Sequence, residues 1–115
     1  RRRRSMALQV HHVALETIMA LRPLVGRLKR FDRSLCAQLV RAASSTVLNI
    51  GEAEYSDPGN RRARLYTAAG SANETRSALA VAVAWGYVSQ AHARPANERL
   101  DRVIAMLFRL TRRSS

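Results

Sequence analysis

Ser34-Leu35-Cys36-Ala37-Gln38-Leu39-Val40-Arg41-Ala42-Ala43-Ser44-Ser45-Thr46-Val47-Leu48-Asn49-Ile50-Gly51-Glu52 is the stretch that decides the fold. Leu35, Leu39, Ala42, Ala43, Thr46, Val47 and Ile50 recur at helical spacing, the pattern of an α-helix that buries one face. Arg41, Ser45, Asn49 and Glu52 follow at intervals of four, four and three, so they share one face of the helix, expected to be an inner one. Asp32 or Ser34 can cap the start by accepting an orphan backbone N–H. At the other end, Ser56-Asp57-Pro58-Gly59-Asn60 is the clearest turn in the chain. The helix predicted between these signals, over residues 32–55, is about 36 Å long.

On the N-terminal side, Val10, Val13, Ala14, Ile18 and Leu21 form a second helical stripe from Met6 to Arg22. Pro23 lacks an N–H and crowds the preceding turn, so it is expected to end or kink that helix. Leu24, Val25 and Leu28 carry the stripe on to Lys29, as a restarted helix would. On the C-terminal side a third helix is predicted from about Arg61 to Trp85, with Leu65, Ala68, Ala69, Ala72, Leu79 and Val83 inward. Asp57 can cap it with Pro58 at its first position, or Asn60 can cap it later. Gly70 in its middle costs about 1 kcal/mol relative to Ala, a cost expected where a neighbouring helix approaches closely. Gly86 to Asn97, with His92, Arg94 and Pro95, reads as a connector. The last helix is predicted from about Ala96 to Arg112, with Leu100, Val103, Ile104, Leu107 and Leu110 as its apolar side. Short connections favour antiparallel neighbours, so the expected fold is all-α, an antiparallel up-down-up-down four-helix bundle over residues 6–115.

Composition agrees with one such domain. The chain has 115 residues, 47% apolar and 24% charged, with five glycines and three prolines, too few to punctuate a many-stranded β-fold. Its single cysteine, Cys36, excludes an internal disulfide scaffold and suits a reducing compartment. No uncharged stretch reaches eighteen residues, which excludes a transmembrane span, and His11, His12 and Glu16 interrupt the one stretch that resembles a secretory signal. A cytoplasmic location is expected.

Twenty Lys and Arg oppose eight Asp and Glu, a net charge of +12, and nineteen of the twenty cations are arginine. Residues 1–33 carry nine basic and two acidic groups and residues 94–115 six and two, whereas residues 34–60 carry one and three. Arg1–Arg4 and Ser5 ahead of Met6 read as a basic disordered tail or a remnant of processing or expression, and without them the net charge is still +8. A small domain this basic repels itself, so a polyanionic or acidic partner is expected.

No residue pattern promises catalysis. His11 and His12 are adjacent and point about 100° apart on a helix, which is unsuited to joint metal ligation, and His92 lies far along the chain. They read as surface or half-buried histidines, and no metal or cofactor is expected. Cys36, near a helix start, could favour a thiolate, but a buried structural thiol is the commoner role. No Ser/His/Asp order, Gly-rich phosphate loop or Glu-x-x-His pattern occurs, so the protein is not expected to be an enzyme. Arg41, Ser45, Asn49 and Glu52, with Ser71 and Glu74 on the third helix, read as a polar network that fixes helix register, Arg41 or Asn49 satisfying Glu52 and Glu74. The competing reading of the same residues is a ligand or catalytic cluster.

Residues 38–52, Q-L-V-R-A-A-S-S-T-V-L-N-I-G-E, resemble the Q-L-x-R-A-A-x-S-I-x-x-N-I-A-E-G signature of a bacterial four-helix-bundle family that includes the intervening-sequence proteins of large-subunit ribosomal RNA genes. Residues 68–74, A-A-G-S-A-N-E, resemble its second signature, A-x-G-S-x-x-E. Thr46, Gly51 and Ala53 depart from the usual Ile, Ala and Gly, so the second helix is expected to pack more loosely and end differently here. The resemblance implies an antiparallel bundle assembled as a ring, commonly a pentamer, and Arg41, Ser45, Asn49, Glu52, Ser71 and Glu74 as its carried-over polar positions. It also implies kinship with the accessory variability protein of diversity-generating retroelements, a basic pentamer that works with a reverse transcriptase and nucleic acid.

The leading functional expectation is a non-catalytic oligomer that binds RNA or DNA through arginine-rich surfaces with little sequence selectivity. Arg22, Arg27, Lys29, Arg30 and Arg33 lie in and after the first helix, and Arg99, Arg102, Arg109, Arg112 and Arg113 on the last. Adjacency of those two helices is expected to bring many of them onto one side, contacting phosphates without reading bases. Few of the aromatic residues look placed as a stacking platform. The alternative is a protein-interaction scaffold that docks an acidic partner or a nucleic-acid enzyme such as a reverse transcriptase. Leu15, Met19, Val40, Leu48, Val81 and Trp85 fall off the main stripes, as subunit contacts would.

Overall fold

The computed structural model describes the backbone of residues 2–113 and the side chains of 6–112. Among the described residues there are four helices and no strand: α1 (Arg2–Phe31), α2 (Arg33–Glu54), α3 (Pro58–Ala84) and α4 (Gln90–Arg113). Consecutive helices are neighbours and α4 returns against α1, closing a bundle with axes of 43 × 22 × 19 Å. The basic tail read over residues 1–5 falls on side chains outside the described residues.

Two core clusters fix the direction of each helix. Leu24 and Leu28 of α1 pack with Leu35 and Leu39 of α2, Leu79 and Ala82 of α3, and Ala93 and Ala96 of α4. Val10 and Val13 pack with Ile50 and Ala53, Leu65 and Ala68, and Leu107 and Leu110. The end of α1 therefore meets the starts of α2 and α4, and the bundle is antiparallel and up-down-up-down, as its stripes predict. Buried Thr17, Thr46, Thr75 and Thr111 would each strand a hydroxyl in apolar surroundings. Each donates instead to a carbonyl four residues back, Val13, Ala42, Ser71 and Leu107 respectively, at 2.8–2.9 Å. Thr46, where the family signature has Ile, borders a small void of about 10 Å³ with Thr17 and Thr75.

The caps follow local chemistry. Asp32 Oδ1 accepts the Leu35 N–H at 2.9 Å, and Asp57 Oδ1 accepts the Asn60 N–H at 3.0 Å with Pro58 opening α3. The backbone N–H of Asn60, and then its side-chain amide, hold the Asp57 carboxyl below its ordinary range. α3 closes on Gly86 at φ +80°: the Gly86 N–H donates to the Val83 carbonyl and the Tyr87 N–H to that of Ala82, both at 2.9 Å.

Three expectations are corrected. Pro23 does not break α1, which runs through it to Phe31. The carbonyl it leaves without an N–H is that of Met19, a residue 63% exposed, where water can replace the lost bond, while Leu21, Leu24 and Leu28 keep their places in the core. The segment 86–97 is not all connector. Ser89 caps α4, its Oγ accepting the His92 N–H at 3.0 Å, and α4 runs through Pro95 because Ala93 and Ala96 are fully buried. Gly70 does not serve close helix approach: it is exposed, and a Cβ there would meet nothing within 4 Å.

Candidate nucleic-acid interface

Antiparallel geometry spreads the basic residues along the length of the bundle. Lys29, Arg30 and Arg33 surround the α1–α2 turn. Leu107 and Leu110 of α4 pack against Val10, so Arg109 and Arg112 lie at the opposite end, about 30 Å away along α1. Arg113 has its side chain outside the described residues. Arg99 and Arg102 fall between, beside α1, each sharing a shallow cleft with Glu16. Along the bundle axis the predicted cations are thus spread over two basic ends and a middle tempered by Glu16.

The two ends differ in charge balance. At the α1–α2 turn, Gly26, Lys29, Arg30, Phe31 and Arg33 line one open cleft. Arg22 and Arg94 belong to the same end of the bundle, and none of these five cations makes an ion pair among the described residues. Asp32, the acid within the turn, spends Oδ1 on the α2 cap. Lys29 and Arg30 also complement the C-terminal dipole of α1, which accounts for cations there without a ligand but not for Arg33. The far end holds Glu52, Glu54 and Asp57 near the turn between α2 and α3, together with Arg61, Arg62 and Arg64, of which Arg64 is paired with Glu52 at 3.3 Å. Arg112 lies over the Phe108 ring at 5.2 Å.

The turn end also carries an aromatic stack that the sequence reading missed. Tyr87 lies between two rings, 5.3 Å from Phe31 with planes 12° apart and 6.4 Å from Trp85 with planes 19° apart. Phe31 is 55% and Trp85 69% exposed. Arg27 pins the arrangement: its Nε donates to the Tyr87 carbonyl at 2.9 Å and its guanidinium sits 5.6 Å from the Phe31 centroid. The signal was present in the sequence. In an up-down bundle the α1–α2 and α3–α4 turns share one end, and Gly86 between Trp85 and Tyr87 marks the second of them.

The polar line of α2 forms a network, with a different membership from the one expected. Ser45 Oγ meets Ser71 Oγ at 2.8 Å, and the buried Asn49 donates through Nδ2 to the Ser45 carbonyl and hydroxyl at 2.9 and 3.1 Å. The missing cation is Arg64, which reaches Asn49 Oδ1 at 3.5 Å and Glu52 at 3.3 Å. Arg41 and Glu74 are exposed, and no ion pair joins them to each other or to Glu52. The arrangement reads as register-fixing. A shared Arg41, Glu52 and Glu74 cluster, as a ligand site would need, is not formed.

A match to the profile of the 23S rRNA-intervening sequence proteins extends over residues 6–109, nearly the whole bundle. The chain belongs to the 23S rRNA-intervening sequence protein family. No curated protein and no solved structure matches it. In this intervening-sequence protein, the remaining candidates are placed as follows. Cys36 is buried and its Sγ donates to the Val25 carbonyl at 3.6 Å. The His11 ring lies where a Cβ at Gly51 would come within 3.6 Å of it, His12 lies 3.6 Å from Glu16, and His92 is exposed. Among the described residues no three His, Cys, Asp or Glu side chains gather as a metal site would require, and no helix is long and apolar enough to cross a membrane.

Proposed function

We propose that this member of the intervening-sequence protein family is a non-catalytic, oligomeric module that binds RNA or DNA through phosphate contacts, with little sequence selectivity. One observation carries the reading: Lys29, Arg30 and Arg33 crowd one exposed turn with no ion-pair partner among the described residues. Placing unpaired cations together costs repulsion, which a polyanion relieves, and counterion release from its phosphates supplies affinity. The family's ribosomal RNA context favours RNA as the first ligand to test.

Oligomerisation is supported by Leu15, Met19, Val40, Leu48 and Val81, all exposed and all off the core-facing stripes. Val40 also borders an apolar groove of about 300 Å³ between α1 and α2. Light scattering at micromolar concentration is expected to give a multiple of the 12.8 kDa chain mass, and a monomer would overturn the assembly.

The binding test is titration of a structured RNA and of a duplex from about 50 to about 200 mM salt. Roughly micromolar affinity is expected at the low end, and six neutralised phosphates would give a log–log slope of about −5. Absence of binding at the low-salt end removes the proposal.

A further inference from the structure

We propose that the Phe31–Tyr87–Trp85 stack is a platform for unpaired nucleobases, so that this end of the bundle takes single-stranded RNA in preference to duplex. The inference rests on the nucleic-acid reading above and adds to it the form of the ligand.

Three observations point the same way. First, the stack is built and held: its rings are near parallel, and Arg27 ties the Tyr87 carbonyl to the end of α1. Secondly, its outer rings are open. Rings that served only to close the core would be covered, whereas Phe31 and Trp85 keep more than half of their surface exposed. Thirdly, Lys29, Arg30 and Arg33 share a cleft with Phe31, so base faces and phosphates can be engaged side by side.

Stacking is indifferent to base identity because every base presents a π-face, and an aromatic row beside a basic groove is how single strands are held without sequence reading. A duplex offers little to such a platform, since its base faces are already covered by one another. Tyr87 is the half-buried middle ring and so fixes the row, leaving Trp85 and Phe31 to meet the ligand.

Trp85 is the only tryptophan, so its fluorescence reports directly on the platform. The test compares a short mixed-sequence single-stranded RNA with the duplex of the same sequence at low salt, using the full chain. The single strand is expected to bind more tightly and to quench Trp85, the duplex to leave its emission unchanged. F31L and W85L are each expected to weaken single-strand binding about 5-fold or more while leaving duplex binding as it was, with W85F restoring part of the loss. Because both rings are exposed, these variants are expected to melt as the parent does. Single-strand binding unaffected by F31L and W85L, yet weakened by K29Q/R30Q/R33Q, overturns the platform and leaves the phosphate reading intact. Binding of neither RNA overturns both.

Discussion

The hydroxyl oxygens of Ser45 and Ser71 lie 2.8 Å apart across the contact between α2 and α3. Both residues sit within long helices where serine has no local advantage. Their meeting fixes the axial height of one helix against the other, and Asn49, Arg64 and Glu52 extend the same line toward the α2–α3 turn.

A double-mutant cycle over S45A and S71A is expected to give a coupling of about 0.5–1.5 kcal/mol, the net worth of one hydrogen bond. Asn49→Ala should cost more than either serine change, because it leaves the Arg64 side chain without one of its two contacts and opens a buried site. Denaturant midpoints of the four variants measure both. Additive serine effects would show that the hydroxyls touch without contributing.

Gly70 and Gly51 interrupt helices without a steric reason. A Cβ at Gly70 meets nothing within 4 Å, and one at Gly51 meets the His11 ring at an ordinary 3.6 Å. G70A and G51A are each expected to stabilise by about 1 kcal/mol, raising the melting temperature by about 4 °C. A fall in stability for G70A would mean that another surface covers this side of α3.

Asp57 gives the α3 cap a defined pH response. Its carboxyl is held below the ordinary value of 3.8, first by the backbone N–H of Asn60 and then by that residue's amide. A carboxyl that is more acidic folded than unfolded stabilises above its ordinary value, and that contribution is lost as pH falls through the folded value. D57N keeps a good capping side chain without the titration. The stability gap between the parent and D57N should therefore shrink as melts are taken from about pH 6 to about pH 2. A gap independent of pH would place the carboxylate's effect elsewhere.

What the sequence made legible was local. The stripes on α2 and α4 and the caps at Asp32 and Asp57 each depend on residues within a turn or two, and all appear as read. Pro23 and Pro95 misled because a proline's cost depends on where the freed carbonyl points, and at Met19 and Ala91 it belongs to an exposed residue. Arg64 as the partner of Glu52 needed the register between helices, which no single stripe contains. The height of each arginine along the bundle needed one further step. Adjacency of α1 and α4 was correctly read, and their antiparallel run puts the late residues of one beside the early residues of the other, which divides the arginines between two ends.

That separation makes the two basic ends distinguishable by experiment. Lys29, Arg30 and Arg33 share an open cleft, while Arg109 and Arg112 lie at the end that holds Glu52, Glu54 and Asp57 as well as Arg61, Arg62 and Arg64. Carboxylates nearby lower the potential a phosphate meets and supply competing partners, so equal numbers of arginines need not release equal numbers of counterions. K29Q/R30Q/R33Q is expected to reduce the salt slope of single-stranded RNA binding by about 2, close to 0.7 per cation removed. R109Q/R112Q is expected to reduce it by less than about 1. All five side chains are exposed, so neither variant should change the melting temperature by much. If R109Q/R112Q instead carried the larger loss, the phosphate track would run at the far end of the bundle and the α1–α2 turn would be left without its proposed ligand.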